Sequence, residues 1–339
     1  MKLTIYITKR WITLMLVLVC FLILFQAKGY AQDTTAASKG DSPAVTSETA
    51  VAEEVTKAPP KYKPVKNSYK SIWIIDNQSV MVPVKGTFEM DIMHRFGTVQ
   101  KGYGDLWGFF APSNIRLGVT YSPINRLNLG IGVTKSDMLW DASAKYAILT
   151  QADGKYPVSI TYYGNVAYAT LKDPDKSIFK YQSQRLSFFN QLIIARKIND
   201  KLTVQVAPSI SHQNSVNGYY TKNDSTGKTI FKTMKFDHFA IAFSARYKLT
   251  KVTSFMINYD QPVTVHATNN PNPNLSFGLE FNSSGHAFQL FVGNYSLLSP
   301  QRNNLYNTNS PFGYTKADGT KGRGGAFLIG FNITRLWNW

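Results

Sequence analysis

From Lys85 to the last residue, Trp339, the sequence alternates apolar and polar side chains in segments of roughly ten residues, and the breaks between segments are alternately short and long. Successive side chains of a β-strand point to opposite faces, so each segment has one apolar and one polar face. In Thr87–Phe96, the apolar residues Phe88, Met90 and Ile92 oppose the polar residues Glu89, Asp91 and Arg95. The pattern predicts one antiparallel sheet that runs through most of the chain.

Twelve such segments occur, and they begin near Thr87, Asn114, Leu127, Trp140, Val158, Leu186, Leu202, His238, Ser254, Leu275, Phe288 and Phe327. A strand of about ten residues, tilted by about 45°, spans roughly 24 Å, which matches the apolar band of an outer-membrane barrel. Barrels of this class have an even number of strands, with short turns on one side and long loops on the other. The predicted fold class is therefore all-β, a transmembrane antiparallel β-barrel of about 12 strands. Only Leu186–Lys197 has a mixed phase, so its faces cannot be assigned.

A soluble secreted β-sandwich is the competing fold, because its strands also alternate. The apolar faces of this chain are rich in aromatic residues, and the opposite faces carry many charges. The chain also ends on an apolar and aromatic strand, Phe327–Trp339, which resembles the C-terminal signal read by the outer-membrane assembly machinery. These features favour the barrel, with membrane lipid against its apolar surface and the assembly machinery as a partner.

The N-terminal residues predict export. Lys2, Lys9 and Arg10 precede an apolar run from Trp11 to Phe25, and Ala31 completes a small-residue cleavage site. This combination is typical of a secretory signal peptide over residues 1–31. The run is shorter than the ~20 residues that a membrane-spanning helix needs, which disfavours an uncleaved anchor. The single cysteine, Cys20, lies in the run, so the mature chain would contain neither disulfides nor thiolates.

Two further segments precede the predicted barrel. Residues 32–66 are dominated by Ser, Thr, Ala, Pro, Lys and Glu, a composition with too few large apolar residues to offset the entropy of ordering. We interpret them as a disordered periplasmic linker. Residues 67–84 contain the β-prone run Ser71–Ile75 and could form a plug, a periplasmic lid or an extra short strand. Residues 85–339 form the predicted outer-membrane barrel, with both termini in the periplasm.

The chain is strongly basic. Residues 1–31 carry four basic residues and no acid, so the mature net charge is +17 − 4 = +13. Such a charge favours nucleic acid, anionic membrane surfaces or anionic solutes. An exported chain without a recognition motif is not expected to bind nucleic acid. The basic long breaks, residues 214–235 and 296–323, therefore predict contact with lipopolysaccharide phosphates.

Ten charged residues occupy the polar faces and are the candidate lumen-lining residues: Glu89, Asp91, Arg95, Arg116, Asp141, Lys145, Arg246, Lys248, Asp260 and Glu280. Charges confined in a lumen either pair and fill it or line a wet path. A barrel of twelve strands lies between filled eight-stranded and open sixteen-stranded barrels, so both outcomes stay open. The glycine- and aromatic-rich break Lys101–Pro112 could fold inward as a constriction, stack on a ligand or pack on the rim.

No catalytic or metal site is predicted. Among the five histidines, only His238 falls on a polar face, and no pair has the sequence spacing of metal ligands. No Gly-x-Ser-x-Gly or other nucleophile signature occurs. We therefore expect no enzymatic activity, no cofactor and no bound metal.

Six segments carry a resemblance to a known family: Ile75–Gln78, Lys85–Glu89, His94–Gly97, Asp105–Gly108, Ala111–Gly118 and Lys145–Leu149. They resemble a family of outer-membrane β-barrel proteins of Bacteroidetes for which no activity is established. The resemblance runs from about Ile72 to the C-terminus. It implies the same barrel in the same compartment, but it transfers no catalytic or binding residue. Arg95 and Arg116 lie in its most recognisable parts and are the first lumen candidates.

The expected function is a monomeric barrel through which small, anionic solutes diffuse by a narrow lumen. Arg95, Arg116, Lys145, Arg246 and Lys248 would set selectivity against Glu89 and Asp91. The first alternative is a closed barrel that acts as a membrane anchor or scaffold, with the linker recruiting a periplasmic partner. The second alternative is an enzyme with its site in the lumen or at the rim.

Overall fold

The computed structural model describes residues 63–65, 68–222, 226–266, 270–315, 320–322 and 324–338. Twelve of its strands form one closed barrel, so the predicted fold class is confirmed. The barrel strands are β3 (Thr87–Thr98), β4 (Asn114–Ile124), β5 (Leu127–Thr134), β6 (Leu139–Leu149), β7 (Ser159–Ala169), β8 (Leu186–Lys197), β9 (Leu202–Gln213), β12 (Asp237–Lys248), β13 (Thr253–Pro262), β14 (Asn274–Asn282), β15 (His286–Gly293) and β18 (Leu328–Asn338). The predicted signal peptide and nearly all of the predicted linker lie outside the described residues.

Each barrel strand pairs antiparallel with its neighbour in the chain, and β18 pairs with β3 to close the ring. The connections on one side are short, which defines the short-turn end. Those on the other side form the long-loop end, which includes the hairpin of β10 (Gly218–Lys222) and β11 (Thr229–Thr233) and the two-residue strands β16 (Tyr314–Thr315) and β17 (Lys321–Gly322). No helix in the described part of the chain is long and apolar enough to cross a bilayer.

The two faces of the sheet are chemically distinct. Along β3, Glu89, Asp91 and Arg95 are fully buried, whereas Met90 on the opposite face is exposed. The same alternation recurs on other strands, with polar side chains toward the lumen and apolar side chains on the outer surface. A polar interior and an apolar exterior are the arrangement that a barrel in a bilayer requires.

A segment from the N-terminal side of the barrel occupies the lumen. This lumen segment, residues 69–82, contains the hairpin of β1 (Trp73–Ile74) and β2 (Asn77–Gln78). Ile72, Ile74 and Ile75 have almost no exposed surface. The chain enters at the short-turn end, where Val65 N donates to Gln151 O at 2.7 Å. The segment is therefore an internal filling of the barrel.

The lumen segment explains the mixed phase of β8. Phe189, Ile193 and Ala195 of β8 point into the lumen, where they join one apolar cluster with Ile74 and Ile75. Asn190 on the outer face bonds Tyr162, with 2.5 Å between Tyr162 Oη and Asn190 Oδ1. The usual polar-in, apolar-out rule therefore fails at these positions of β8, because their inward side chains contact apolar residues of the lumen segment.

A second element closes the long-loop end. Helix α1 (Pro300–Tyr306) belongs to the connection between β15 and β18, and its residues Gln301, Asn303, Asn304 and Leu305 are buried. The aromatic-rich loop after β3 behaves differently. Tyr103 and Phe110 are 83% and 80% exposed, and the ring of Phe109 lies 4.4 Å from that of Phe96. This loop packs on the rim, so an inward constriction is the wrong alternative for it.

Candidate functional site in the barrel lumen

Arg116 of β4 is the centre of the largest charge cluster in the lumen. Its Nη1 donates to Asp91 Oδ2 of β3 at 2.7 Å. Its Nη2 and Nε donate to the two carboxylate oxygens of Asp141 on β6, at 2.8 and 3.0 Å. A guanidinium held by two buried carboxylates is fixed in position and has few donors left for a passing solute.

Glycines make room for this cluster. Gly118 of β4 and Gly132 of β5 point their missing side chains toward Arg116. A Cβ on Gly132 would lie 2.6 Å from Arg116 Cζ, and a Cβ on Gly118 would lie 2.7 Å from Asp91 Oδ1. Any side chain at these positions would displace the ion pairs, since such distances are well inside van der Waals contact.

The lumen segment contacts the cluster directly. Trp73 Nε1 donates to Asp91 Oδ1 at 3.2 Å, and Arg116 Cζ lies 5.4 Å from the centroid of the Trp73 ring. From the long-loop end, Gln301 of α1 reaches the same cluster through Asn165, which donates to Asp141 Oδ1 at 3.1 Å. The cavity left between these groups measures about 10 Å³. It has space for about one water molecule.

Arg95 of β3 binds the turn of the hairpin. Its Nη2 lies 2.8 Å from Asp76 Oδ1, and its Nη1 donates to Asn332 Oδ1 at 2.9 Å. The guanidinium also lies over the ring of Phe291, 4.4 Å from the centroid. Arg95 therefore pairs with a carboxylate that the lumen segment carries, which places Asp76 among the functional residues that the sequence pattern did not identify.

The wall also satisfies the backbone of the hairpin. Gln289 donates to Trp73 O at 2.9 Å and accepts from Ile75 N at 3.2 Å. Asn258 donates to Ile74 O, and Asn332 donates to Ile75 O at 2.6 Å. Side-chain amides thus replace the sheet partners that the two-residue strands lack, as buried backbone groups require.

Three further charged residues lie around the lumen segment: Lys145, Asp260 and Glu89. Lys145 Nζ donates to Gln78 Oε1 at 3.0 Å and to Ile72 O at 3.3 Å. Asp260 accepts from Asn77 at 2.7 Å. Glu89 is fully buried, and its carboxylate has no hydrogen-bond partner among the described residues.

The remaining candidates lie toward the short-turn end. Arg246 Nε donates to Glu280 Oε1 at 2.9 Å, and Gln289 donates to the other oxygen of Glu280 at 3.1 Å. Lys248, at the end of β12, is half-buried and belongs to none of the ion pairs found in the described part of the chain. Six of the ten predicted lumen residues thus form ion pairs, and Lys145 and Asp260 form hydrogen bonds to neutral groups. Glu89 and Lys248 do neither among the described residues.

One contact at the long-loop end joins residues that are distant in sequence. His238 Nδ1 of β12 lies 3.0 Å from His266 Nε2 in the loop after β13. His266 Nδ1 accepts from Lys235 N at 3.2 Å, so its Nε2 carries the proton in the neutral ring. Burial lowers the pKa of His266, with a further contribution from the charge of Lys235. Sequence spacing could not predict this pair, because the whole β12–β13 hairpin separates its members and His266 lies in a long loop.

Three solved structures are similar to this chain at low sequence identity. In structure, the chain is similar to the NanC porin, with 10% identity over 74% of this chain and 99% of that one and a TM-score of 0.42. The KdgM porin gives 8% identity over 74% and 99%, with a TM-score of 0.41. The COG4313 outer membrane channel from Pseudomonas putida F1 gives 12% identity over 76% and 97%, with a TM-score of 0.41. No curated protein matches the sequence.

A family profile described as a membrane bound beta barrel domain (DUF5777) matches residues 69–337. The match includes both the lumen segment and the whole barrel wall, which are the two parts that the contacts above join. The chain therefore belongs to the DUF5777 family of membrane-bound β-barrel domains.

Proposed function

We propose that this protein is an outer-membrane barrel that is closed at rest and that anchors its own N-terminal region through the lumen segment. The observation that carries the proposal is the packing of apolar side chains of the lumen segment against apolar side chains of the barrel wall. Ile74 and Ile75 cover Phe189, Ile193 and neighbouring wall residues. In a water-filled lumen, each large apolar side chain would lose roughly 1.5–3 kcal/mol of burial free energy. The wall composition thus favours a permanently resident segment.

The proposed orientation places the short-turn end and both termini in the periplasm. Barrels of this class have short periplasmic turns and long outer loops. The chain leaves the lumen segment toward the short-turn end, where Val65 bonds Gln151 and Pro64 forms a bridge with Ala152. The proposal includes the signal peptide and the Gram-negative, Bacteroidetes source predicted from the sequence, and both are consistent with this orientation.

In this proposal, residues 32–66 present a binding segment to a periplasmic partner, and the barrel is the anchor. The long-loop end would contact lipopolysaccharide, and β18 would have been read by the assembly machinery during insertion. A monomer is sufficient, because closure of β18 on β3 leaves no free barrel edge. The proposal includes no enzymatic role, since no nucleophile signature occurs in the sequence.

Single-channel recording in planar bilayers tests the closed state. The mature protein should give no steady conductance, while a variant without residues 69–82 should conduct if it inserts. Steady conductance of the folded mature protein would contradict the proposal.

Affinity purification from membranes tests the anchor: a periplasmic protein should co-purify with the mature chain and be lost when residues 33–62 are deleted. Equal recovery with that deletion would reject the recruiting role.

A gated channel for small anionic solutes is the second candidate. It is favoured by the way in which the lumen segment is held. The strands β1 and β2 pair only with each other, and side-chain hydrogen bonds rather than sheet pairing join them to the wall. The segment could therefore leave without breaking the barrel. This candidate predicts rare openings with anion preference, which Arg116→Ala would reduce, whereas the anchor predicts none.

A further inference from the structure

The long-loop end contains a cavity that the lumen segment does not fill. It measures about 170 Å³ and lies between α1 and the ends of β7, β8 and β9. Its lining includes two arginines, Arg185 and Arg302, and no acidic residue. Among the described residues, the lumen segment fills the barrel below the cavity, and the cavity lies at the long-loop end.

Each of the two guanidinium groups is held by protein acceptors but retains N–H donors without a partner among the described residues. Arg185 Nη1 donates to Ala169 O and Leu171 O at 2.9 and 2.8 Å, which leaves Nε and Nη2 as further donors. Arg302 pairs with Asp137 through Nη1, while its Nε is buried and lacks a hydrogen-bond partner among the described residues. One acid therefore offsets two cations, and donors remain for an additional anion.

The rest of the lining suits a small hydroxylated molecule. Each guanidinium lies over an aromatic ring of the lining, with Arg185 Cζ 4.6 Å from the centroid of Phe179 and Arg302 Cζ 5.6 Å from that of Tyr306. A cation–π contact restricts the position of each guanidinium group beside the cavity. The side chains of Gln184, Gln213 and Asn217 add amide groups that can bond hydroxyls.

We propose that this cavity binds a small hydroxylated acid from the long-loop side, with its carboxylate or phosphate between Arg185 and Arg302. The proposal goes beyond the anchoring role, and it holds whether or not the lumen segment ever leaves the barrel. An oxyanion is the expected ligand of the two arginines, because charge-assisted hydrogen bonds to guanidinium are stronger than hydrogen bonds between neutral groups.

Isothermal titration calorimetry of the mature protein in detergent tests the site. The probes are glucuronate for a carboxylate, glucose 6-phosphate for a phosphate, and glucose as the neutral control. At least one acid should bind at least about tenfold more tightly than glucose. The tighter acid identifies the preferred anion. Equal binding of all three sugars, or no binding to the folded protein, would overturn the proposal.

Three variants separate the cavity from general charge attraction. Arg302→Gln should weaken binding of the preferred acid by about tenfold or more. Ser215→Phe keeps both arginines but fills the cavity that Ser215 lines, and it should abolish binding. Lys228→Gln removes an exposed charge from the β10–β11 hairpin and should leave the affinity unchanged. Heat-modifiable gel mobility should show each variant folded. Wild-type affinity in Ser215→Phe, or equal loss in Lys228→Gln, would reject this site.

Discussion

Trp73 of the lumen segment donates its indole N–H to Asp91 of β3, whose other carboxylate oxygen accepts from Arg116. This bond joins the segment to the main charge cluster of the wall. The lumen charges therefore hold protein in place, and solvent or solute has little access to them.

The indole bond can be tested by two substitutions of Trp73. Trp73→Phe removes the indole donor and keeps a smaller aromatic ring, and we expect a loss of about 1–3 kcal/mol because a buried charged acceptor loses a partner. Trp73→Ala also leaves a cavity, and the loss should reach about 3–5 kcal/mol. Reversible urea unfolding in detergent micelles measures both. Equal, negligible losses would mean that the indole does not occupy the lumen.

The ion pairs of Arg116 predict that removing Arg116 alone destabilises the protein more than neutralising the whole cluster does. Arg116→Met leaves Asp91 and Asp141 buried without their counter-charge and should cost about 3–5 kcal/mol of unfolding free energy. Replacing all three residues by neutral ones, as Arg116→Met with Asp91→Asn and Asp141→Asn, should recover most of the loss. Lys248→Met is the matched control and should stay within about 0.5 kcal/mol of wild type. If the losses of unfolding free energy of the three substitutions simply added in the triple variant, the three residues would not form a common cluster.

The glycine beside the cluster predicts a steric effect. Gly132→Ala places a methyl group 2.6 Å from Arg116 Cζ. Arg116 is held by two carboxylates and cannot move freely, so we expect a loss of about 1–3 kcal/mol. Gly104→Ala is the control, because a Cβ there meets nothing within 4 Å. Unfolding free energies that are the same for both variants would contradict the close packing at Gly132.

The loop that carries Phe179 predicts a pH dependence. The backbone N–H of Phe179 lowers the pKa of Asp173, with smaller contributions from Ile178 and Ser177. A lowered pKa means that Asp173 stabilises the loop above the ordinary carboxyl pKa, and that this contribution is lost as pH falls through the lowered value. Hydrogen exchange at the amides of Ile178 and Phe179, corrected for intrinsic rates, should speed up toward pH 3. Asp173→Lys should show fast exchange already at pH 7, and unchanged protection would reject this role.

Strand periodicity was sufficient to predict the barrel, because the alternation of side chains depends only on local backbone geometry. Its failure on β8 has a physical cause. Phe189 and Ile193 face inward because the lumen segment covers them, and a strand pattern read alone does not reveal an internal partner. The same limit applied to residues 67–84, for which plug, lid and extra strand were equally compatible with Ser71–Ile75.

The lumen charges illustrate a second limit. Polar phase predicted that Arg95 and Arg116 would point inward, but it could not predict their partners. Asp76 lies in a turn outside the barrel pattern, and Asp141 lies two strands away from Arg116. Helix α1 and the contact between His238 and His266 likewise depend on how long loops fold, which alternation does not encode.

The central claim is that residues 69–82 fill the lumen, and disulfide trapping in native membranes tests it most directly. Ser71 Oγ and Thr334 Oγ1 lie 3.5 Å apart, and the only natural cysteine, Cys20, belongs to the predicted signal peptide. The Ser71→Cys, Thr334→Cys variant should form an intramolecular disulfide that mass spectrometry detects as one linked peptide pair. The Ser71→Cys, Ser187→Cys control, with its second cysteine at the long-loop end of β8, should not. Alkylation of both cysteines in the folded Ser71→Cys, Thr334→Cys barrel by a membrane-impermeant maleimide, without a linked pair, would contradict the account.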